Sequence, residues 1–322
     1  MLGDLCDRLG DTRAAFNYFK ESNNLSKKLP VARHAKKDRY LAVIGLMAER
    51  VTQDWVATWQ TVKSADDRPD PIFLVGFPRS GTTILYTILR SHPSIAVVGE
   101  QENMNAVRGA LEQMPGGYPD GLSTLDCGQL TELRNIYFAE LDKHLAPEDS
   151  QGLVVDKLPL NIVQTGFNHR ILPQSKFIFA QRHPCDCVLS CFMQEFALND
   201  SMASFLDIEG ATLLYDKVMT LWQRYQTLFP LKAHTVRYEK LIVEFEETVS
   251  SILDFLGLGW DDNIKNYTAT AKQRSKINTP SYNQVTQPLY TGAKGRWERY
   301  REPMQPVLPT LLSWARRLDY SE

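Results

Sequence analysis

Residues 71–83, PIFLVGFPRSGTT, set the reading of the rest of the chain. The first half is an apolar run. The second half, Gly76 to Thr83, fits the outline G-x-x-x-x-G-[KT]-[ST] of a phosphate-binding loop. An apolar run leading into that loop, with a helical pattern after it, supplies the strand-loop-helix context the motif needs. There the amides of Ser80, Gly81, Thr82 and Thr83 would face an anion, and the helix start adds partial positive charge. A nucleoside triphosphatase carries a lysine between the second glycine and the Ser/Thr to reach the β- and γ-phosphates, and Thr82 stands in that place here. A hydroxyl cannot supply that charge. The loop is therefore expected to hold a smaller phosphate group without metal-assisted γ-transfer, and Arg79 brings one cation from a different position. The plainer alternative is a turn that needs Gly76 and Gly81 for its shape alone.

Outward from the loop, apolar runs alternate with helical segments: IFLVG before 82–91, GLVVD before 159–171, KFIFAQ before 185–194 and HTVRY before 244–256. Strands separated by helical crossovers imply an α/β fold, a P-loop-type doubly wound parallel sheet flanked by helices. Ligands on such sheets sit beyond the carboxyl ends of the strands, so the residue after each apolar run is the one to inspect. A long helical insert at about 203–229 and a helical tail after 296 complete this part. The polar, proline-punctuated ADDRPDP marks a break, dividing a small all-helical segment, 1–64, from a domain over 65–322. In the first segment Leu5, Leu9, Ala15, Phe16 and Phe19 fall at helical spacing, and LGDTRAAFNYFKESNNL resembles the closing half of a tetratricopeptide repeat. A single repeat cannot bury its own face, so these helices are expected either to pack on the following domain or to end a longer array.

Composition narrows the class. With 322 residues, 43% hydrophobic and 23% charged, the chain is an ordinary globular protein, and a net charge of −2 excludes a generally basic, nucleic-acid-coating one. Five cysteines, an odd number, argue for a reducing compartment. In CDCVLSC, Cys185 and Cys187 point about 200° apart on a helix, so small buried hydrophobes are favoured over structural zinc. No apolar core of a leader peptide opens the sequence and no run of 18 apolar residues occurs in it. A soluble cytoplasmic protein without a membrane span is the default expectation.

The segment FPRSGTT resembles the 5′-phosphosulfate loop of sulfotransferases, whose donor, 3′-phosphoadenosine 5′-phosphosulfate, requires a second phosphate site. Arg182 closes the strand KFIFAQ and Ser190 follows eight positions later, a spacing that resembles the family's 3′-phosphate motif. Physically, a strand-end arginine can fork onto a phosphate while a serine in the next helix adds a hydroxyl donor. The resemblance runs over residues 70 to about 320. It is nearest to bacterial sulfotransferases that follow tetratricopeptide repeats and to tyrosylprotein sulfotransferases. It implies donor contacts from Tyr238 in VRYEKL and from TPSYNQVTQPLYTGAKGRWERY, with Ser281 at the start and Lys294, Arg296 and Trp297 at the end. A solvated basic turn is the bland view of those last residues. The product would be 3′-phosphoadenosine 5′-phosphate, with no metal needed because arginine, lysine and loop amides supply the charge.

Sulfuryl transfer needs positioned charge for the leaving phosphate and a base for the acceptor. VVGEQEN follows an apolar run, which puts Glu100 at the mouth of the sheet. The tyrosylprotein relatives use the glutamate at this place as base, and many small-molecule sulfotransferases use histidine; none of the six histidines here has such a strand-end context, though His183 lies beside Arg182. A capping role for Glu100, or Glu102 as the base instead, stays open. Lys157 in VVDKLP resembles the family lysine that bridges donor and acceptor; a lysine simply reaching solvent at a strand end is the other view. Together with Arg79 and Ser281 these form the expected catalytic set. The acceptor is expected to carry a hydroxyl or an amine on a small molecule, peptide or protein; the repeat-like helices hint at a peptide or protein, while Phe192, Phe196 and Phe205 could line a phenol site but read more readily as core. A homodimer follows only by analogy with the tyrosylprotein relatives. The alternatives from other classes are a P-loop nucleotide kinase or NTPase-like protein, for which Asp156 comes close to a magnesium-binding aspartate, and an inert scaffold.

Overall fold

A computed structural model describes residues 2–61, 63, 65–146, 152–268 and 294–320. Five parallel strands, β1 Ile72–Gly76, β2 Ile95–Gly99, β3 Leu153–Lys157, β4 Lys176–Gln181 and β5 Lys232–Arg237, lie in the order β2-β3-β1-β4-β5. Helices α1 Leu2–Arg8, α2 Thr12–Ser26, α3 Lys37–Arg50 and α4 Gln53–Ala57 precede the sheet. Helices α5 Thr82–Leu89, α6 Asn103–Gln113, α7 Cys127–Asp142, α8 Thr165–Ile171, α9 Pro184–Phe192, α10 Ile208–Leu228, α11 Tyr238–Leu241 and α12 Phe245–Leu256 connect or follow the strands, and α13 Leu308–Arg317 closes the described chain. This is the α/β arrangement expected, with one strand, β2, paired outside β3 as Gly99 meets Lys157.

Strand β1 is buried along its whole length because it is central and covered on both faces, which is why it reads as a continuous apolar run. Its alternation divides the core. Phe73 and Val75, with Phe177 and Phe179 of β4, face one side, where α2, α3, α6, α7, α9, α10 and α13 pack. Ile72 and Leu74, with Ile178 and Ala180, face the other, covered by α5 and α12. The phosphate-loop helix α5 is buried at every position, so its start is held rigidly against the sheet.

The amino-terminal helices join the first of these cores. Ala15, Phe16 and Phe19 of α2 and Leu41, Ile44 and Met47 of α3 are all within it. Phe16 stacks on Phe192 at 4.8 Å between centroids, and Asn23 Nδ2 donates to the Phe192 carbonyl at 3.0 Å. Packing on the following domain is thus how these helices bury their apolar face. The cysteines of α9, Cys185, Cys187 and Cys191, are buried and unpaired, and burial pushes the Cys185 thiol up to about 12.

In β3 the alternation sends neighbouring charges to opposite faces. Asp156 turns into the first core, where Asn103 Nδ2 and Tyr137 Oη donate to its Oδ2 at 3.0 and 2.9 Å. Burial raises its pKa from 3.8 to about 6, against the pull of those two donors. The native state therefore keeps this proton where the unfolded chain has lost it, so the group's contribution to stability falls as pH rises from about 4 to about 6. Asp156→Asn cannot ionise. Its Tm relative to the unaltered protein should rise by on the order of 1–3 °C between about pH 5 and about pH 8, measured by thermal melts at both pH values; a constant difference would show that the carboxyl titrates alike in both states.

Candidate active site

Each of the five strands ends on the same edge of the sheet, and each end delivers a residue singled out from the sequence. After β1 the chain turns through Gly76–Gly81. A Cβ on Gly76 would stand 2.6 Å from the Ala180 carbonyl of β4 and 2.7 Å from Ser80 Oγ, so only glycine lets the turn sit this close to the sheet. Gly81 has φ +100°, and a Cβ there would meet the Tyr238 ring at 2.8 Å. The Ser80 hydroxyl is buried inside the turn without a partner among the described residues. The first helical amides, at Thr82 and Thr83, have no preceding turn to bond, which leaves them directed outward at the dipole's positive end.

Arg79 links this loop to the end of β4. Its backbone is left-handed, with φ 69°. Its Nε donates to Ser190 Oγ at 3.1 Å, and its carbonyl accepts from Arg182 Nη1 at 3.1 Å. The Arg182 guanidinium also lies over the Tyr238 ring, 4.9 Å from the centroid. Loop, Arg182, Ser190 and Tyr238 therefore form one continuous surface. Burial lowers the pKa of Arg79, and the positive charges of Arg182 and Arg296 add to that effect. A buried guanidinium beside two further guanidinium groups and a helix start is a place where an incoming anion is favoured, despite the chain's net charge of −2.

The ends of β2 and β3 form the second element. Lys157 is 1% exposed, and its Nζ is bonded to Glu100 Oε1. Burial lowers the lysine's pKa while the glutamate raises it. The Glu100 amide donates to the Lys157 carbonyl at 2.8 Å, extending the strand pairing by one bond, and Glu100 takes φ 57° there. Arg79 and Glu100 are thus both non-glycine residues in the left-handed region, which costs on the order of 1–3 kcal/mol apiece and is characteristic of functional positions. Glu102 instead hydrogen-bonds Asn105 at the start of α6.

The described residues of the expected carboxy-terminal loop begin at Lys294, which is exposed; Ser281 lies outside the described residues. The turn that follows is tied down by a residue the sequence reading passed over. Asp186, in the first turn of α9, accepts from the Gly295 and Trp297 amides at 2.8 and 3.0 Å. The Trp297 ring, 3% exposed, stacks on His183 with planes 6° apart. The Trp297 ring therefore packs beneath the turn. Arg296 pairs with Asp7 of α1 at 2.9 Å, and Asp7 also accepts from Tyr300 Oη at 2.6 Å and Arg299 Nη2 at 3.3 Å.

Glu100, Arg79, Thr82 and Thr83 open onto a cavity of about 940 Å³. Its other walls are Val31, Tyr40, Val43 and Leu46 of the amino-terminal helices, Leu158 and Leu160 after β3, and Phe196, Leu198 and Met202 after α9. The contribution of residues 31–46 was not legible beforehand, because it depends on packing across more than a hundred residues. In the structure the exposed apolar Val31 and Leu46 mark this wall.

The sequence model of the sulfotransferase family matches residues 71–262. An uncharacterized protein of Aquifex aeolicus is 28% identical over 260 residues, covering 78% of this chain and 33% of its own length. A protein-tyrosine sulfotransferase of Drosophila melanogaster is 23% identical over 256 residues, covering 74% of this chain and 49% of its own. The chain thus spans about a third and a half of these two relatives. Among solved structures, a sulfotransferase domain from the curacin biosynthetic pathway superposes with a TM-score of 0.57 at 18% identity, over 79% of this chain and 98% of that one. The shared fold is that of a sulfotransferase domain. Among the described residues no helix is long and apolar enough to cross a membrane.

The Asp7 contact gives a direct test of how the basic turn is held. Asp7→Asn keeps the volume and removes the charge that three donors share, so it should lower stability by about 1–2 kcal/mol, a few degrees of Tm. A melting temperature equal to that of the unaltered chain would mean that α1 does not anchor Arg296.

Proposed function

This chain belongs to the sulfotransferase family, and we propose that it transfers the sulfuryl group of 3′-phosphoadenosine 5′-phosphosulfate to the hydroxyl, or amine, of an acceptor held in the cavity beside Glu100. The observation that carries this is the continuity of two anion-binding elements through Arg79, which belongs to the β1 loop and bonds both Arg182 and Ser190. A donor phosphorylated at both ends of its ribose needs two such elements on one surface. The residues fit it: a glycine cradle under the 5′ side, and a guanidinium and a hydroxyl at the end of β4 for the 3′ phosphate. Tyr238, between Gly81 and Arg182, would flank the nucleotide, with Lys294 and Arg296 from the carboxy-terminal turn. Ser281 belongs to this proposal through its place in the motif.

Bound there, the donor supplies a sulfuryl group whose departure leaves a bisphosphate. Glu100 takes the acceptor proton as the acceptor oxygen bonds to sulfur, and the electron pair of the broken S–O bond stays on the phosphate. Lys157 holds Glu100 Oε1, which leaves Oε2 to receive the proton. Its ammonium and the Arg79 guanidinium offset charge growing on the leaving phosphate. Because Lys157 is buried, its charge acts where water screens it little. The kinase-like alternative is disfavoured by the orientation of Asp156, whose carboxylate is bonded to Asn103 and Tyr137 inside the core and does not face the loop. The Drosophila relative is named for protein tyrosine, so a phenolic hydroxyl is within the range of acceptors this geometry serves.

Two measurements test this. In a thermal shift assay, 3′-phosphoadenosine 5′-phosphate should raise Tm more than ATP with magnesium does; the reverse order would favour a kinase or NTPase. Glu100→Gln and Lys157→Met should each lower kcat by about two to four orders of magnitude while retaining the bisphosphate shift. Since the two side chains touch, the double variant should lose little more than either single one. Full additivity, or normal turnover in either variant, would remove these roles.

A further inference from the structure

We propose that the acceptor is an uncharged, predominantly apolar small-molecule alcohol or phenol, and that the amino-terminal helices select it. The inference rests on the sulfotransfer assignment above and specifies its second substrate. The first observation is the shape of the site. About 940 Å³ is the scale of a drug-sized ligand's pocket. The helices preceding the sheet line part of it, so a hydroxyl brought to Glu100 belongs to a molecule whose body reaches α3.

The second observation is the surface that molecule would touch. Val31 is 47% and Leu46 49% exposed, and Leu46 stands on α3 between Leu41, Ile44 and Met47, which turn the other way into the core. With Val43, one turn before Leu46 on the same face of α3, they line the cavity together with the half-buried Phe196, Leu198 and Met202. Large apolar side chains left partly uncovered on a cavity wall favour an apolar body against them.

The third observation is charge. Away from Arg79, the cavity's cations are Arg39 and Arg108, and each faces a carboxylate that also lines it. Arg39 pairs with Asp200 at 3.1 Å, and Arg108 stands 3.8 Å from Glu112. Glu100 is paired with Lys157, Glu102 adds one further carboxylate, and burial keeps the Tyr40 phenol protonated, Arg108 opposing and Glu102 reinforcing the effect. Away from Arg79 an acidic peptide or other anionic acceptor would find these lining cations already engaged by carboxylates. An uncharged one needs no such partner.

The test is equilibrium binding of naphthol and of decanol to the full chain saturated with 3′-phosphoadenosine 5′-phosphate, compared with an acidic tyrosine-containing peptide. Saturable binding of naphthol or decanol is expected, with the peptide at least about tenfold weaker. Leu46→Glu, at a half-exposed position, should keep the bisphosphate thermal shift and weaken the apolar ligand by roughly tenfold or more. Leu46→Met should restore it. Tighter binding of the peptide, no saturable binding of either apolar probe, or an unchanged affinity in Leu46→Glu would each overturn the proposal. Failure of the sulfotransfer assignment reads out separately, as loss of the bisphosphate shift in the unaltered chain.

Discussion

A lysine ammonium buried at the end of a central strand is costly to desolvate, and the geometry around Lys157 follows from meeting that cost. The alternation of β3 points Asp156 into one core and Lys157 toward the other, so the two neighbours cannot neutralise each other. The carboxylate comes instead from the next strand over, and Glu100 reaches it only by taking a left-handed backbone and bonding its amide to the Lys157 carbonyl. Removing the Glu100 charge would leave the Lys157 ammonium poorly compensated where little water reaches it. The pair is thus held by more than its own attraction: the register of β2 on β3 places it, and the Glu100 amide bonded to the Lys157 carbonyl maintains the strain at Glu100.

Arg79 plays the matching part on the other half of the edge. It too is left-handed, and its side chain and carbonyl are engaged by residues of β4 and α9. The two strained residues stand at the ends of β1 and β2, with β3 between them. Chain direction explains why they converge. In a parallel sheet every strand delivers its last residue to one edge, so groups separated by up to 160 positions in sequence become neighbours without a long loop to carry them.

This is also why so much of the site was legible in the sequence. The apolar runs identify the strands, parallel connection fixes which end matters, and Glu100, Lys157, Arg182 and Tyr238 each stand next to such a run. What was not legible depends on packing between distant segments. Asp186 reads as an ordinary first-turn aspartate of α9, and nothing local indicates that its carboxylate holds the Gly295 and Trp297 amides 109 and 111 residues away. Trp297 stands out through its place in the carboxy-terminal motif, and nothing local indicates that its ring stacks on His183. The amino-terminal helices were recognisable as helices needing a partner. Which surface they would cover, and that α3 would leave part of its apolar face on a cavity, is decided by the shape of α9, α10 and the segment between them.

Those helices lie outside the stretch that matches the family, residues 71–262, and still touch both halves of the site. Asp7 of α1 holds Arg296 near Arg79, and α3 walls the cavity onto which Glu100 opens. The division follows a physical rule: groups that do chemistry must be placed within fractions of an ångström and therefore sit on the rigid edge of the sheet, whereas the body of an acceptor tolerates looser contact and can be recognised by elements added around it. A sheet edge with fixed chemistry and a separately built wall allows the acceptor to change while the transfer machinery does not. The exposed valine and leucine on that wall are where such a change would be written.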